Sequence, residues 1–204
     1  MNNYFNDYPS FEQAKIACRD CEIGLAYNRV VPSLGNKVDP TVIVIGECPG
    51  REELAAGEPF IDKCGKLLRK HLNEYGFRRE NTIITNTIPC RPLNNQFPTD
   101  TKLVSHCVDQ WLAKEIEILR PRFILIVGGK ALKNVMGIDG ITKNRGSWMT
   151  YPKIWEPSLE IGVMATFHPS YVLRKEHMAE GPGVLESFKV DIATVSKAAG
   201  FHLT

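Results

Sequence analysis

TVIVIGECPG, Thr41 to Gly50, is the stretch that decides the fold. Its first five residues are all β-branched, and the run stops at Gly46. An acid, a cysteine and a proline follow before the next glycine. Apolar residues at every position, rather than at alternate ones, mark a strand covered on both faces, as in a parallel sheet. The polar turn at its carboxyl end is then either a tight structural turn or the lip of an active site.

Three more runs have the same character: NTIITN (81–86), FILIVG (123–128) and IGVMATF (161–167). Helical periodicity separates them. CGKLLRKHLNEYGF places Leu67, Leu68, His71, Leu72 and Tyr75 on one stripe and stops at Gly76. TKLVSHCVDQWLAKEIEILRP sets Leu103, Val104, Cys107, Trp111, Leu112 and Ile116 on one side, with Pro121 closing it. A short helix is expected from Lys130, and a last one from about Gly183 to Ala199. Strands alternating with helices predict a three-layer α/β/α domain over residues 1–204, built on a central four-stranded, mainly parallel sheet.

Ligand sites in such sheets lie beyond the carboxyl ends of the strands. Those ends read GECPG, NTIPCRP, GGKA and HPSY, and supply Glu47, Asn86, Lys130 and His168. One polar strand end is usually a cap. Four on the same edge point to a site.

The 204 residues suffice for one domain with a full core, and 43% hydrophobic with 24% charged residues is ordinary for a globular chain. A net charge of +2 permits a nucleic-acid partner without demanding one. No segment has the apolar length of a membrane span, and MNNYFNDYPSF lacks the apolar core of a signal peptide, so an intracellular, cytoplasmic protein is expected. In that compartment six cysteines suggest metal or chemistry more than disulfides. Cys18 and Cys21 form a C-x-x-C pair, and Cys90 and Cys107 lie far downstream. Four thiolates can hold zinc or an iron–sulfur cluster, and the spacing favours neither. Cys48 and Cys64 have no partner at ligand spacing.

Taken together, these segments resemble the family 4, iron–sulfur uracil-DNA glycosylases from Cys18 to about Arg174. CRDCEIGLAYNRVVPSLGN is similar to the family's opening segment. GECPGREELAAGEPFIDKCGKLL resembles its G-E-x-P-G-x-x-E-D-x-x-G-x-P-F-V-G-x-A-G-x-L-L motif, and NTIPCRPLNNQFP its N-x-x-x-C-R-P segment. GGKAL, the Arg145-Gly146 pair and HPSYVLR complete the order. Leu54, Asp62, Cys64 and Gln96 depart from the pattern.

The resemblance implies a uracil-DNA glycosylase-like fold. It also implies a [4Fe–4S] cluster on Cys18, Cys21, Cys90 and Cys107, and a monomeric enzyme that hydrolyses the N-glycosidic bond of uracil in single- or double-stranded DNA. A duplex base must be extruded to be reached. Phe60 would stack on it, and Asn86 would read uracil O4 and N3. Main-chain amides around Gly46, beside Cys48, would help hold the base. His168 would stabilise the departing anion at O2, and Glu47 would position water and stabilise the cationic sugar. Tyr171 and Leu173 would support or fill the vacated stack, and Arg91, Arg145, Ser170 and Arg174 would meet phosphates. Two alternatives remain: the same chemistry on another modified or deaminated base, and an idle relative that binds DNA or protein.

Overall fold

The computed structural model describes residues 7–152 and 160–202. Among them, six strands form one sheet: β1 (Leu34–Gly35), β2 (Val42–Gly46), β3 (Thr82–Asn86), β4 (Phe123–Val127), β5 (Met149–Thr150) and β6 (Gly162–Thr166). The helices are α1 (Tyr8–Ala17), α2 (Glu22–Tyr27), α3 (Arg51–Ala56), α4 (Lys63–Glu74), α5 (Thr101–Cys107), α6 (Ala113–Leu119), α7 (Gly129–Met136), α8 (Ile141–Asn144), α9 (Pro169–Lys175) and α10 (Gly181–Ala199). None of the described helices is long and apolar enough to cross a membrane.

The strand order is β1-β3-β2-β4-β6-β5. The four runs read from sequence are the central four strands, all parallel, in a register that sets Gly46 opposite Asn86. The expected four-stranded sheet is corrected to six. β1 and β5 are two-residue strands pairing antiparallel at the two edges, and neither Leu-Gly nor Met-Thr carries a pattern that sequence periodicity can detect.

Successive residues of the central strands enter different cores, which explains their unbroken apolar character. Ile43, Ile45, Ile83, Ile124, Ile126, Val163 and Ala165 pack with α1, α6 and α7. Val42, Val44, Leu125, Val127 and Met164 pack with α4, α9 and α10. Because β3 and β4 flank β2 on opposite sides, the strand order reverses there and opens a crevice between the carboxyl ends of β2 and β4.

The long helical pattern runs from Thr101 to Leu119 but widens to a π-helical turn over Val108–Leu112, directly after Cys107. Arg120 adopts a left-handed conformation at φ 46° and Pro121 follows, as the sequence required of a stop. Helix α1 is fastened to the body by a buried polar knot. Lys15 Nζ donates to Glu115 Oε2 at 2.8 Å, and Tyr8 donates to Glu115 Oε1 at 2.6 Å. Ser33 and Thr85 complete the knot under β3. Burial opposes the charge on Glu115, but the Lys15 ammonium and these hydrogen bonds outweigh it and hold the carboxyl below its usual range.

Candidate active site

A cavity of about 470 Å³ opens at the carboxyl edge of the sheet. It is lined by the 47–53 turn, Phe60, Asp62, Cys64, Asn86, His168 and Ser170, among others. The polar strand ends singled out in the sequence therefore converge, except that Lys130 stands behind Glu47 rather than on the wall.

Two segments shape the floor. Phe60 sits at φ 55°, an unusual conformation for an aromatic residue, and its side chain is only 7% exposed. A Cβ on Gly46 would lie 2.3 Å from the Phe60 ring and 2.5 Å from Asn86 Oδ1, so only glycine lets both side chains meet over the end of β2. A Cβ on Gly65 would fall 1.9 Å from the Phe60 carbonyl carbon. Asn86 is buried, and its amide makes no hydrogen bond among the described residues.

Glu53 was quoted in the motif without a role, and the structure gives it a central one. Its carboxylate is 4% exposed. Oε2 accepts from Gly50 N at 3.0 Å, and Oε1 accepts from Ile61 N and Asp62 N, both at 2.9 Å. One side chain thus joins the GECPG turn to the Phe60 loop. A usable signal was present, since an acid three residues after a helix cap is half of a capping box. Asp62, a departure from the motif, is the N-cap of α4. It accepts from Gly65 N at 2.8 Å, and its φ of −67° makes no demand for glycine. Cys64 lies on the cavity wall, where burial pushes its thiol up to about 11.

Across the crevice, Glu47 Oε1 accepts from Lys130 N at 3.2 Å. A Cβ on Gly128 would lie 2.6 Å from Glu47 Oε1 and 3.1 Å from His168 Cβ, so glycine there leaves room for both side chains. His168 caps α9, and its Nδ1 accepts from the Ser170 amide at 3.2 Å and faces Ser170 Oγ at 2.8 Å. An amide N–H can only donate, so Nδ1 carries no proton, and the neutral ring holds its proton on Nε2. Burial lowers the His168 pKa against the opposing pull of Glu47, and Arg174 adds to the lowering. The ring is therefore a neutral donor at neutral pH.

The remaining candidates divide. Ser170 and Arg174 lie together at the rim, with Arg174 Nη1 donating to Ser170 Oγ at 3.2 Å. Tyr171 packs on Phe167 at 5.0 Å, and Leu173 borders a small apolar groove with Leu67 and Leu185. Arg91 stacks over Tyr27 at 4.9 Å and donates to Asn95, a cavity-lining residue. Arg145 is not brought to the cavity: its guanidinium is engaged with Asp191 of α10.

Cys18, Cys21, Cys90 and Cys107 gather in a separate corner. Cys90 and Cys107 are buried with Ile23, Val30, Ile88, Val104 and Val108, and Cys21 packs against that group. Burial pushes the Cys90 thiol up to about 12, and the neighbouring Cys18 and Cys21 push it the same way. Cys107 is likewise raised to about 12 by burial and by the other three cysteines. Tetrahedral zinc would need sulfurs roughly 3.8 Å apart. Among the described residues no three His, Cys, Asp or Glu side chains form a group that could hold one metal ion. Four cysteine thiols near one another are a donor set that suits a thiolate-bound metal group. Cys48 packs against the same corner while also lining the cavity. Burial pushes its thiol up to about 12, which leaves it protonated.

Residues 32–189 match the family model of the uracil DNA glycosylase superfamily. The chain is 32% identical over 188 residues to a type-4 uracil-DNA glycosylase of Archaeoglobus fulgidus, covering 91% of this chain and 89% of the relative. A type-4 enzyme of Thermotoga maritima is 38% identical over 161 residues, covering 77% and 78%, and one of Saccharolobus solfataricus is 33% identical over 162 residues, covering 76% and 72%. On this likeness, and on a site assembled at the switch point of its sheet, the chain belongs to the uracil DNA glycosylase superfamily, in its type-4 branch.

Proposed function

We propose that this protein is a monofunctional DNA glycosylase that hydrolyses the N-glycosidic bond of uracil in DNA and leaves an abasic site, as the first step of base excision repair. The observation that carries this is the meeting, in one cavity, of an aromatic ring, an amide with no other hydrogen bond and a neutral imidazole donor. Phe60 offers a flat face to an extruded base. Asn86 matches the acceptor at uracil O4 and the donor at N3 with its NH2 and its carbonyl, and cytosine presents the reverse. Amides around Gly46 and Cys48 add main-chain contacts.

As the bond lengthens, negative charge grows on the base and positive character on the sugar. His168, with its proton fixed on Nε2 by the Ser170 amide, donates to uracil O2 and stabilises the anion. A donor of this kind is worth roughly 3 kcal/mol in comparable sites. Glu47, steadied by the Lys130 amide, uses its other oxygen to orient water and to face the cationic sugar. Arg91, Ser170 and Arg174 contact phosphates, and Tyr171 and Leu173 support the vacated stack.

Cys18, Cys21, Cys90 and Cys107 would hold a [4Fe–4S] cluster. When bound, that group supplies iron–thiolate bonds that cross-link the N-terminal segment, the β3 exit and the long helix. Lys15 and Arg19 lower the cost of thiolate charge in that corner.

Incubation with oligonucleotides carrying uracil or other modified bases, followed by alkali, tests the proposal. Strand scission with uracil is expected, with a loss of at least about 100-fold in Asn86→Ala. Scission only with other bases, or retarded mobility without scission, would overturn it.

A further inference from the structure

Arg145 was expected at the phosphates, but its surroundings give it different work. Nε donates to Asp191 Oδ2 at 2.7 Å, Nη2 donates to Asp191 Oδ1, and Nη2 also reaches the Ser187 carbonyl at 2.9 Å. The guanidinium lies 5.4 Å from the centre of the Phe167 ring, the residue that precedes His168. Asp191 is 1% exposed, so this fork is buried at its acidic end. Burial raises the Asp191 pKa, and Arg145 and the nearby, buried Thr166 hydroxyl pull the other way. The Gly146 amide donates to the Ala165 carbonyl at 3.1 Å.

Ala165 and Phe167 are thus held on either side of Thr166, and the next residue is His168. Three of the five guanidinium N–H donors, on Nε and Nη2, are taken by the carboxylate and the carbonyl, and the group lies against a ring, so only Nη1 is left for another partner. We propose that Arg145 and Asp191 are positioning residues. They fix the end of β6 so that the His168 imidazole meets the base, and they add nothing to DNA affinity. The inference rests on the glycosylase reading above. It matters because misplacing a catalytic donor by about 1 Å can cost 100-fold in rate.

The two roles leave different traces. A phosphate contact contributes about 0.9 to the slope of log K against log salt for duplex DNA, and its loss raises Kd with little change in kcat. A positioning pair does the opposite. Arg145→Lys keeps the charge but loses the fork, and Asp191→Asn keeps the arginine but weakens its anchor. Single-turnover rates on uracil-containing duplex, and binding across a salt series, are measured for both and for the parent. Both variants are expected to lose 10-fold or more in the chemical step, with Kd and the salt slope unchanged. Because Arg145→Ala strands a buried acid, its salt slope is read by binding alone, on protein with native circular dichroism, and an unchanged slope is expected. A slope reduced by about one contact in Arg145→Ala, or an undiminished rate in Asp191→Asn, would overturn the inference. Failure of the parent to release uracil would instead sink the functional reading, and the salt series would still decide the role of Arg145.

Discussion

The cavity at the strand ends and the cysteine corner lie on either side of Cys48 and are held together by opposite means. The cavity is organised by the polypeptide alone. Glu53 ties two loops through main-chain amides, Gly46 and Gly65 make room for Phe60, and Ser170 fixes the His168 tautomer. The corner gathers four thiols, and at Cys90 and Cys107 burial and the neighbouring cysteines both oppose ionisation. A site built from satisfied hydrogen bonds stands ready without its ligand, whereas a knot of thiols gains its stability from what binds it. Removing one bond should therefore be graded in the cavity and all-or-none in the corner.

The sharpest way to break that contrast is at Cys90. If the proposed cluster is held there, Cys90→Ala is expected to abolish its brown colour and broad absorbance at about 400 nm and to cost about 5 kcal/mol or more, because the binding free energy of such a group is folding free energy. Limited proteolysis should then cut between α1 and β1. A stable Cys90→Ala protein that keeps the colour would show that Cys90 does not hold the group, and a stable, colourless parent would show that the corner carries no cluster. The next largest effect belongs to Glu53. Glu53→Ala strands three partly buried amides, at about 1 kcal/mol each, and should lower the thermal midpoint and kcat together. Glu53→Gln keeps one acceptor and should fall between the alanine variant and the parent. If both variants retain full activity, the cavity is held by something else.

The smallest effect concerns pH. The folded pKa of His168 lies below its unfolded value of about 6.5. The unfolded chain thus binds the extra proton first, and stability falls as pH drops from about 6.5 through the lower folded pKa. Above 6.5 the residue contributes no slope. Thermal midpoints across pH 4 to 8 should show this loss in the parent and a shallower one in His168→Gln; identical profiles would mean that the imidazole is not confined.

Much of the molecule could be read before the structure. The central strands were legible because burial on both faces leaves an unbroken apolar run, and the cavity because ligand sites in such sheets follow the strand ends. Three features were not. β1 and β5 are two residues each, below the reach of any periodicity. The π-helical turn after Cys107 leaves the apolar stripe nearly unchanged, so the sequence reads as plain α-helix. Arg145 and Asp191 are 46 residues apart and meet only once α10 has folded onto β6, and a lone arginine beside a glycine looks no different from a phosphate contact. Asp62 taught the reverse lesson. It stood out against the family motif as an added charge, yet it is an ordinary helix cap.

The two shortest strands also have a consequence for the protein outside its reaction. An open sheet with long bare margins offers a row of amides and carbonyls on which another chain can polymerise. Here the outermost strands offer only Leu34–Gly35 and Met149–Thr150, too little for a second molecule to zip onto. Antiparallel pairing covers two residues on the outer flank of β3 and two on that of β6, which shortens the margin open to a neighbour. The fold thus limits the edge on which copies of the chain could polymerise.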